Sequence, residues 1–511
     1  MIAELRKLVA IPSVRGEATS DFPFGADVDR AYRFMLEKAE QDGFDAVDVG
    51  GFGGHIEWRG VNVDEATGIE AAAAATLGIP VHVDVVPAGD GWDEDPFEGK
   101  YISEDGTDCQ ASTNAPSPTN TPSPTNRIYG RGTTDNKNAV IATYYAMKAL
   151  KESGFVPAKN IRLILGLDEE TGWTGMAKYL EEVDAPDFGF SPDADFPVIN
   201  GEMGMIVFEI AKKLEKTSES GLILRTIEGG NAPNMVPDFA RAVVKYDDGK
   251  PKVKGKGRAK AQTKAKDKTA EAYEAVKNHV RDFKQRTGYN VTAKGRGTAL
   301  EIAAEGVSAH GAHPELGTNA ISVLMDCLSG LSIAGESTRE FIDFYLEHIG
   351  FEIDGKGLGI DSSDAPSGPL IVNVGMISGN SEAIILTVNV RNPVSKKEED
   401  VYDALRPILD KNGLGVVKLS GMEPIFVPPD SDFIETLLKV YRDNTGDTEA
   451  QPLVIGGGTY ARAIPNAVAF GPRFPGEPDI MHQKNEYVTE GSFMKSSEIF
   501  ADAIFELTKP D

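Results

Sequence analysis

Apolar and polar residues follow two different periods along the first 200 residues of this chain. Apolar positions recur at helical spacing over residues 31–41 and 138–152, which predicts two amphipathic helices. Continuous apolar runs at residues 79–83 and 161–167 are typical of buried strands. Strands that alternate with helices in this way predict an α/β domain, built on a mixed, mostly parallel sheet flanked by helices.

From about residue 204 to residue 391 the pattern changes, and strands and helices follow one another in mixed order. The predicted strands are 205–211, 222–227, 298–304, 370–377 and 383–391, and the predicted helices are 319–331 and 338–348. This mixture favours an α+β domain inserted into the first one. After Arg391 the α/β pattern returns, with helices near 397–409 and 432–443. The predicted division is therefore 1–203, 204–391 and 392–511, the first and last segments forming one domain.

Two segments depart from these patterns. Residues 103–126 break the pattern, and within them residues 112–125 repeat Ser, Pro, Thr and Asn, which cannot bury apolar surface and so predict a surface loop. Residues 250–268 contain nine Lys or Arg and one acidic residue, Asp267. We interpret this basic segment as a solvated loop that leads into a helix over 269–285. Contact with nucleic acid is the weaker interpretation, because the surrounding chain is acidic.

Composition narrows the classes of function. The chain has 511 residues, 41% of them hydrophobic, and a formal net charge of -27, which argues against a nucleic-acid partner. Its two cysteines, Cys109 and Cys327, make a disulfide framework improbable and favour a reducing cytoplasm. We see no secretory signal at the N-terminus and no apolar run of about 18 residues, so we expect no membrane association.

Side chains that can carry chemistry follow the predicted strands. His82 and Asp84 lie at the end of the first run, and Glu169 and Glu170 follow the second. In open α/β sheets, ligands bind at the carboxyl ends of strands. His-x-Asp is also compatible with a buried histidine bonded to an acidic neighbour, and the glutamates with two solvated acids.

Three further residues complete a set. Asp135 ends the glycine-rich segment Gly130–Asp135 before a predicted helix, where it could also serve only as an N-cap. Asp193 follows a proline and could be a turn residue, and His482 could be a surface histidine. Together, however, two histidines, three carboxylates and one further glutamate suit two divalent metals and a general base. Two such ions roughly 3.5–4 Å apart can activate water and polarise a carbonyl, so the set predicts a dinuclear metallohydrolase that cleaves amide bonds.

The order of these motifs resembles the zinc aminopeptidase/aminoacylase superfamily, and within it the dipeptidase V-like group (PepV-like, Xaa-His dipeptidase/carnosinase-like). The segments that carry the resemblance are His82–Trp92, Gly130–Ala139, Asp168–Trp173, Asn234–Asp238, Ser308–Gly311, Gly456–Arg462 and Met481–Glu486. The resemblance implies a zinc exopeptidase-like catalytic domain, made of 1–203 and 392–511. It also implies that residues 204–391 form a lid.

The resemblance implies a metal site with two divalent ions, zinc first and manganese or cobalt as alternatives. Asp135 is then the bridging ligand, with a cis peptide to Asn136. His82 and Asp193 complete one site, and Glu170 and His482 complete the other.

The same resemblance implies the catalytic and substrate-binding roles. Glu169 is the general base, Asp84 orients His82, and His310 of the lid stabilises the oxyanion. His310 is preferred over the nearby His313 because His310 matches the motif. The residues implied to hold the substrate are Asn234, Arg391, Gly457 and Thr459.

The implied activity is hydrolysis of dipeptides with a free N-terminus by a monomer that supplies His310 in cis. An N-acyl-amino-acid deacylase or desuccinylase, or a carboxypeptidase acting on longer peptides, would use the same metals and base. A non-catalytic peptide-binding protein on this scaffold is disfavoured, because all five ligand positions and Glu169 are present.

Overall fold

The computed structural model describes residues 1–63, 70–72, 75–103, 125–249 and 258–510. It consists of two compact units, residues 1–201 with 426–511 and residues 202–425. Most of the predicted Ser-Pro-Thr-Asn loop, together with Cys109, lies outside the described residues, whereas Cys327 is a buried free thiol.

The helices occur in both units. They are α1 Ile2–Val9, α2 Ala26–Gln41, α3 Lys137–Glu152, α4 Thr174–Glu182, α5 Arg258–Thr287, α6 Ala320–Ser329, α7 Glu336–His348, α8 Glu398–Lys411, α9 Asp432–Thr445 and α10 Glu490–Thr508. Among the described residues, none of them combines the length and the apolar character that a bilayer crossing requires.

The strands, like the helices, are divided between the two units. The first unit begins with β1 Asp45–Asp48, β2 Gly54–Trp58, β3 Val61–Val63, β4 Glu70–Ala72, β5 Thr76–His82, β6 Lys100–Ile102, β7 Arg127–Tyr129, β8 Asn160–Gly166, β9 Phe188–Ser191, β10 Ala194–Asp195 and β11 Ile199–Glu202. The second unit contains β12 Gly204–Lys213, β13 Gly221–Gly229, β14 Phe239–Asp247, β15 Asn290–Arg296, β16 Ala299–Glu305, β17 Ser363–Asp364, β18 Gly368–Pro369, β19 Ile371–Asn380, β20 Ala383–Asn392 and β21 Gly415–Met422. The first unit resumes with β22 Ile425–Phe426, β23 Leu453–Ile455, β24 Ala467–Ala469, β25 Pro472–Arg473 and β26 Tyr487–Thr489.

The first unit is built on a mixed sheet with strand order β1-β2-β8-β5-β9-β24-β11-β22. Its central strands β8, β5, β9 and β24 run parallel, whereas β1, β2 and β11 pair antiparallel to their neighbours. β5 and β8 are nearly continuous apolar runs, and their residues are buried because helices such as α3 and α10 cover the sheet. The prediction of a mixed, mostly parallel sheet flanked by helices is confirmed.

The second unit is an α+β unit around an antiparallel sheet with strand order β15-β16-β14-β13-β19-β20-β12-β21. Its strands alternate buried and less buried positions, as β16 does with Leu300, Ile302 and Ala304 inside. Helices α6 and α7 pack their apolar faces into the same core.

The second unit extends further along the chain than residue 391. β21 pairs with β12, and Val401, Leu405 and Leu409 of α8 are buried in the core of this unit. The predicted return to the first domain at residue 392 therefore differs from the observed return at residue 426. The pattern of β21 hides this pairing, because most of its residues are exposed.

The basic segment also differs from its predicted structure. Helix α5 begins at Arg258, eleven residues before the predicted start at 269. Lys and Ala dominate the added stretch, and both have high helix propensity, so a loop assigned from charge alone is wrong there.

Candidate metal centre

Three neighbouring parallel strands deliver most of the candidate ligands. His82 is the last residue of β5 and lies opposite Gly166, the last residue of β8. Glu169 and Glu170 form a short 3₁₀ turn directly after β8. Asp193 follows β9. Because the carboxyl ends of parallel strands lie at one edge of a sheet, these side chains converge there.

Asp135 reaches the same edge from the loop that precedes α3. Its peptide bond to Asn136 is cis, as predicted. The N-cap of α3 is Asn136, so Asp135 does not have the capping role that was the alternative interpretation. Gly132 has a φ of 89°, and a Cβ there would lie 2.9 Å from Val85 Cγ1, so the turn requires glycine.

His482 comes from the loop before β26. Its φ of 61° lies in the left-handed region, which residues other than glycine seldom occupy. Its side chain is 53% exposed, whereas the His82 side chain is fully buried.

The two imidazoles approach the two oxygens of Asp135 separately. His82 Nε2 is 3.0 Å from Asp135 Oδ1 and 3.5 Å from Asp193 Oδ1. His482 Nε2 is 2.9 Å from Asp135 Oδ2 and 3.1 Å from Glu170 Oε1. The structure thus brings the five predicted ligands into two groups of three that share Asp135, with all ligand atoms of a group within 4.8 Å of one another.

Asp84 contacts both strand ends. His82 Nδ1 lies 3.0 Å from the Asp84 main-chain oxygen and 3.5 Å from its Oδ1. The Asp84 carboxylate also accepts hydrogen bonds from the Glu169 and Glu170 amides, both at 3.2 Å. The side chain predicted to orient His82 therefore lies within reach of it, although the main-chain oxygen is closer.

The electrostatics of the cluster are those of excess buried negative charge. Burial raises the pKa of Glu169 well above its usual range, and it raises the pKa of Glu170 to about 7. Burial also raises the pKa of Asp193. Burial opposes ionisation of Asp135 too, but hydrogen bonds from His482 and His82 hold its pKa below its ordinary value.

The histidines respond in the opposite direction. Burial disfavours the charged form of His82, yet the charge of Asp193 and hydrogen bonds to carboxylates raise its pKa well above normal. Hydrogen bonds to Asp135 and Glu170 raise the pKa of His482 to about 10. Both imidazoles are therefore surrounded by carboxylate oxygens that a cation would also satisfy.

A divalent metal fits this set of donors. Five acidic side chains, those of Asp84, Asp135, Glu169, Glu170 and Asp193, surround two imidazoles, so acidic groups outnumber basic ones by three. Ligand separations of 2.9–3.5 Å match the edge of about 3.3 Å expected when tetrahedral metal–ligand bonds are about 2.0 Å long. Nitrogen and carboxylate oxygen are zinc ligands.

Several residues that sequence reasoning missed hold the cluster. Asn136 Nδ2 donates to Asp193 Oδ1 at 2.7 Å. Trp173 Nε1 donates to the main-chain oxygen of Glu169 at 3.0 Å, and its ring packs on Tyr460, which in turn meets the His82 ring edge-on. Asn136, Trp173 and Tyr460 each lie inside one of the segments that carry the family resemblance. Their proximity in sequence to candidate ligands is the feature that could have identified them.

A buried ion pair was missed as well. Arg131 and Glu486 are 2% and 0% exposed, with 2.6 Å between Arg131 Nη1 and Glu486 Oε2. A charged residue beside the conformationally constrained Gly130 and Gly132 was the signal that could have identified Arg131.

In the second unit, the structure brings Asn234 and His310 together. Gly311 N donates to the Asn234 main-chain oxygen at 2.7 Å, and Met235 pairs with His310 in an isolated bridge. Both candidate side chains are exposed. Asn373, which the sequence did not single out, fixes the Asn234 loop by donating to the main-chain oxygens of Pro233 and Met235, both at 2.9 Å.

Arg391 differs from these two because it is only 3% exposed. Its Nε donates to Asn389 Oδ1 at 3.1 Å on the same face of β20. Asn389 lies opposite Asn373 in the β19–β20 pair. A row of polar side chains therefore leads from Arg391 to the residue that fixes the Asn234 loop.

Gly457 and Thr459 lie in the first unit, in the loop before the 3₁₀ helix Tyr460–Ala463. Thr459 Oγ1 caps this helix by accepting from Ala461 N at 3.1 Å, and the Gly457 oxygen accepts from Arg462 Nη2 at 3.1 Å. Because Tyr460 touches His82, this loop is adjacent to the candidate metal ligands.

Comparison with known proteins places the chain among peptidases. The model of Peptidase family M20/M25/M40 matches residues 78–506. A Staphylococcus epidermidis protein named "Putative dipeptidase" is 33% identical over 100% of this chain and 97% of its own length. "Putative dipeptidase YtjP" of Bacillus subtilis is 32% identical, again over 100% of this chain and 97% of its own length.

Solved structures share the fold at low identity. The aminoacylhistidine dipeptidase of Vibrio alginolyticus aligns with a TM-score of 0.54 at 15% identity, covering 100% of this chain and 97% of that one. A Staphylococcus aureus tripeptidase aligns with a TM-score of 0.51 at 14% identity, covering 100% of this chain and 99% of the other. The chain therefore belongs to peptidase family M20/M25/M40, a family of metal-dependent hydrolases.

Proposed function

We propose that this protein is a dipeptidase that works with two divalent metal ions, zinc in the first place. One observation carries the proposal: the two oxygens of Asp135 point to different imidazoles, each completed by a further carboxylate. His82, Asp135 and Asp193 would hold one ion, and Asp135, Glu170 and His482 the other. The chemistry that such ions supply when bound is activation of water and polarisation of the scissile carbonyl.

Glu169 is the proposed general base. It lies, partly buried, beside the ligand carboxylates, yet it belongs to neither group of three. Its backbone is fixed on both sides, by the Asp84 carboxylate at its amide and by Trp173 at its carbonyl. In the proposed reaction Glu169 accepts a proton from the attacking water and then delivers it to the leaving amine.

Asp84 is the proposed positioning residue for both strand ends. It contacts His82 Nδ1, which leaves Nε2 directed at Asp135 and Asp193. A partner that fixes the other ring nitrogen is the usual arrangement around a metal-binding histidine.

The substrate contacts are proposed for residues of both units. His310 would stabilise the oxyanion, since it is an exposed imidazole on the same loop pair as Asn234. Arg391 would pair with the substrate carboxylate, because a guanidinium binds carboxylates bidentately. Asn234, Gly457 and Thr459 would complete the binding of the substrate backbone.

The preference for dipeptides rests on relatives that align with the full length of this chain and are named putative dipeptidases. The deciding experiment is hydrolysis of a panel by the metal-reconstituted protein: free dipeptides, tripeptides, and N-acetyl and N-succinyl amino acids, each with and without chelator. Chelator-sensitive cleavage confined to free dipeptides supports the proposal. Cleavage of acylated amino acids instead would make the protein a deacylase with the same centre, and metal binding without any cleavage would favour a peptide-binding role.

A further inference from the structure

The Arg131–Glu486 pair joins the two loops that carry Asp135 and His482. Both side chains are essentially inaccessible to solvent, with exposed fractions of 2% and 0%. Asp135 lies four residues after Arg131, and Glu486 lies four residues after His482. The ion pair therefore connects two chain segments that are more than 340 residues apart in sequence.

Glu486 organises the loop that ends at Asp135. Its Oε1 accepts hydrogen bonds from three main-chain amides of that loop, those of Gly132 at 3.1 Å, Thr134 at 2.7 Å and Asp135 at 3.2 Å. The amide between them, that of Thr133, donates to the Gly130 oxygen instead. Its other oxygen, Oε2, accepts from Arg131. One carboxylate thus satisfies main-chain donors up to the amide of Asp135 itself.

Arg131 organises the loop that contains His482. Its guanidinium donates to the main-chain oxygens of His482 and Gln483, both at 3.2 Å. It also reaches the main-chain oxygens of Pro87 and Ala88, at 3.5 and 3.4 Å, in the segment that follows His82. The same side chain therefore touches the backbone of two segments that follow or contain candidate ligands.

The loop that Arg131 holds needs such support. His482 and Asn485 have φ values of 61° and 60°, in a region that is costly for residues with a Cβ. Strained backbone of this kind persists where the surroundings over-determine it. Two hydrogen bonds from one rigid guanidinium to His482 and Gln483 provide that constraint.

A gain in folding stability does not by itself explain why the Arg131–Glu486 ion pair is buried here. Removing two charges from water is costly, and hydrophobic replacements of a buried ion pair are often as stable or more stable. What a hydrophobic pair could not reproduce is the set of directed bonds to amides on one loop and carbonyls on the other. These directed hydrogen bonds fix the backbone of the Asp135 loop relative to that of the His482 loop.

We infer that Arg131 and Glu486 are positioning residues that hold Asp135 and His482 at metal-binding separation before any metal arrives. The inference rests on the proposed function above, in which Asp135 and His482 would share one ion with Glu170. Neither Arg131 nor Glu486 is a ligand; they act through the backbone of the residues that are.

The test measures metal affinity, independently of turnover. Zinc is titrated into the metal-free protein by calorimetry for the wild type, Glu486→Gln and Arg131→Lys. Loss of a residue that orients a ligand typically weakens metal binding about 10–100-fold, and we expect a weakening of that size in both variants. Arg131→Lys retains the charge but not the planar fork, so it separates directed bonding from simple charge pairing.

A matched control is Glu57→Gln. Glu57 is a mostly buried carboxylate of the first unit that lies 3.4 Å from Arg162 Nη2 and 3.3 Å from His55 Nε2, all on β2 and β8. We expect this variant to lower the melting temperature and to leave zinc affinity unchanged. Zinc affinity that is unchanged in Glu486→Gln and Arg131→Lys, with only a lower melting temperature, would overturn the inference.

A measurement on the wild type needs no variant to fold. In the metal-free protein, the amides of Gly132, Thr134 and Asp135 should be protected from hydrogen exchange, because Glu486 already accepts from them. Protection that appears only after zinc is added would overturn the inference. A wild type that binds no divalent metal would instead refute the proposed function, so the two failures are distinguishable.

Discussion

The two units of this protein present their candidate functional residues in opposite ways. In the first unit, the two candidate imidazoles lie within 3.5 Å of the carboxylates of Asp84, Asp135, Glu170 and Asp193, and of these side chains only His482 is more than half exposed. In the second unit, Asn234 and His310 are exposed on adjoining loops, and only Arg391 is buried. Their contacts to one another run through the backbone, as in the bond from Gly311 N to the Asn234 oxygen.

This difference in burial suggests different roles for the two units. A cluster of buried carboxylates is unfavourable without a cation, which is why we propose that the first unit binds the metal and carries the chemistry. The imidazole of His310 and the amide of Asn234 are instead accessible from solvent. We therefore expect changes in the first unit to act on metal and proton transfer, and changes in the second to act on the substrate alone.

Metal removal should have the largest effect and should distinguish the two units. We expect a chelator to abolish hydrolysis and to lower the unfolding temperature of the first unit only. Ligand binding at a concentration 1,000 times the dissociation constant stabilises the folded state by about 4 kcal/mol, and the chelator removes that contribution. Differential scanning calorimetry with and without zinc measures it. An equal shift in the unfolding of both units would contradict the assignment of the metal to the first.

Glu169→Gln should have the next largest effect. Without a general base, kcat should fall by about 10²–10⁴-fold, while zinc affinity should stay at the wild-type value because Glu169 is not among the proposed ligands. The matched control is Glu170→Gln, which should lose affinity for metal because Glu170 Oε1 lies 3.1 Å from His482 Nε2. Steady-state kinetics together with zinc titration separates the two. Loss of zinc from Glu169→Gln would exchange the roles of base and ligand.

His310→Ala tests the second unit. If His310 stabilises the oxyanion, kcat should fall by about 10²–10³-fold with no change in zinc affinity. His313→Ala is the control, since the His313 side chain is 64% exposed and lies 3.3 Å from Glu315, and it should leave kcat unchanged. A larger loss in His313→Ala than in His310→Ala would reverse the choice between the two histidines.

The sequence predicted the elements with strong patterns and missed those stabilised by distant partners. Buried runs such as residues 161–167 identify strands because both faces of a central parallel strand are apolar. β21 carries no such pattern, since most of its residues are exposed, and only its pairing with β12 makes it a strand. The boundary of the second unit was misplaced for the same reason.

The candidate site divides in a similar way. Motif spacing identified the residues that the structure gathers around Asp135, because each of them lies in a short motif that is recognisable from its immediate sequence neighbours. The residues that support them were not predictable from spacing. Glu486 acts on the Asp135 loop from more than 350 positions away. Trp173 supports Glu169 by an indole hydrogen bond to its main-chain oxygen, and the left-handed φ of 64° at Trp173 is not predictable from its sequence neighbours.

The smallest expected effect concerns stability, and it tests whether the two units unfold separately. Asn319 caps α6 in the second unit, where its Oδ1 accepts from Ile321 N at 2.9 Å and its Nδ2 donates to Val374 O at 2.9 Å. Ser431 caps α9 in the first unit through one longer bond of 3.4 Å to Ile434 N. Replacing an N-cap by alanine costs about 0.5–2 kcal/mol, and we expect Asn319→Ala at the upper end and Ser431→Ala at the lower.

Each replacement should shift one calorimetric transition by about 2–4 °C per kcal/mol, the range for units of this size. Asn319→Ala should move the transition that zinc leaves unchanged, and Ser431→Ala the transition that zinc stabilises. If both variants lowered a single common transition, the units would unfold cooperatively, and the effect of zinc would extend to the whole chain. Neither variant should change zinc affinity or kcat, because both caps lie outside the groups of residues assigned to metal or substrate.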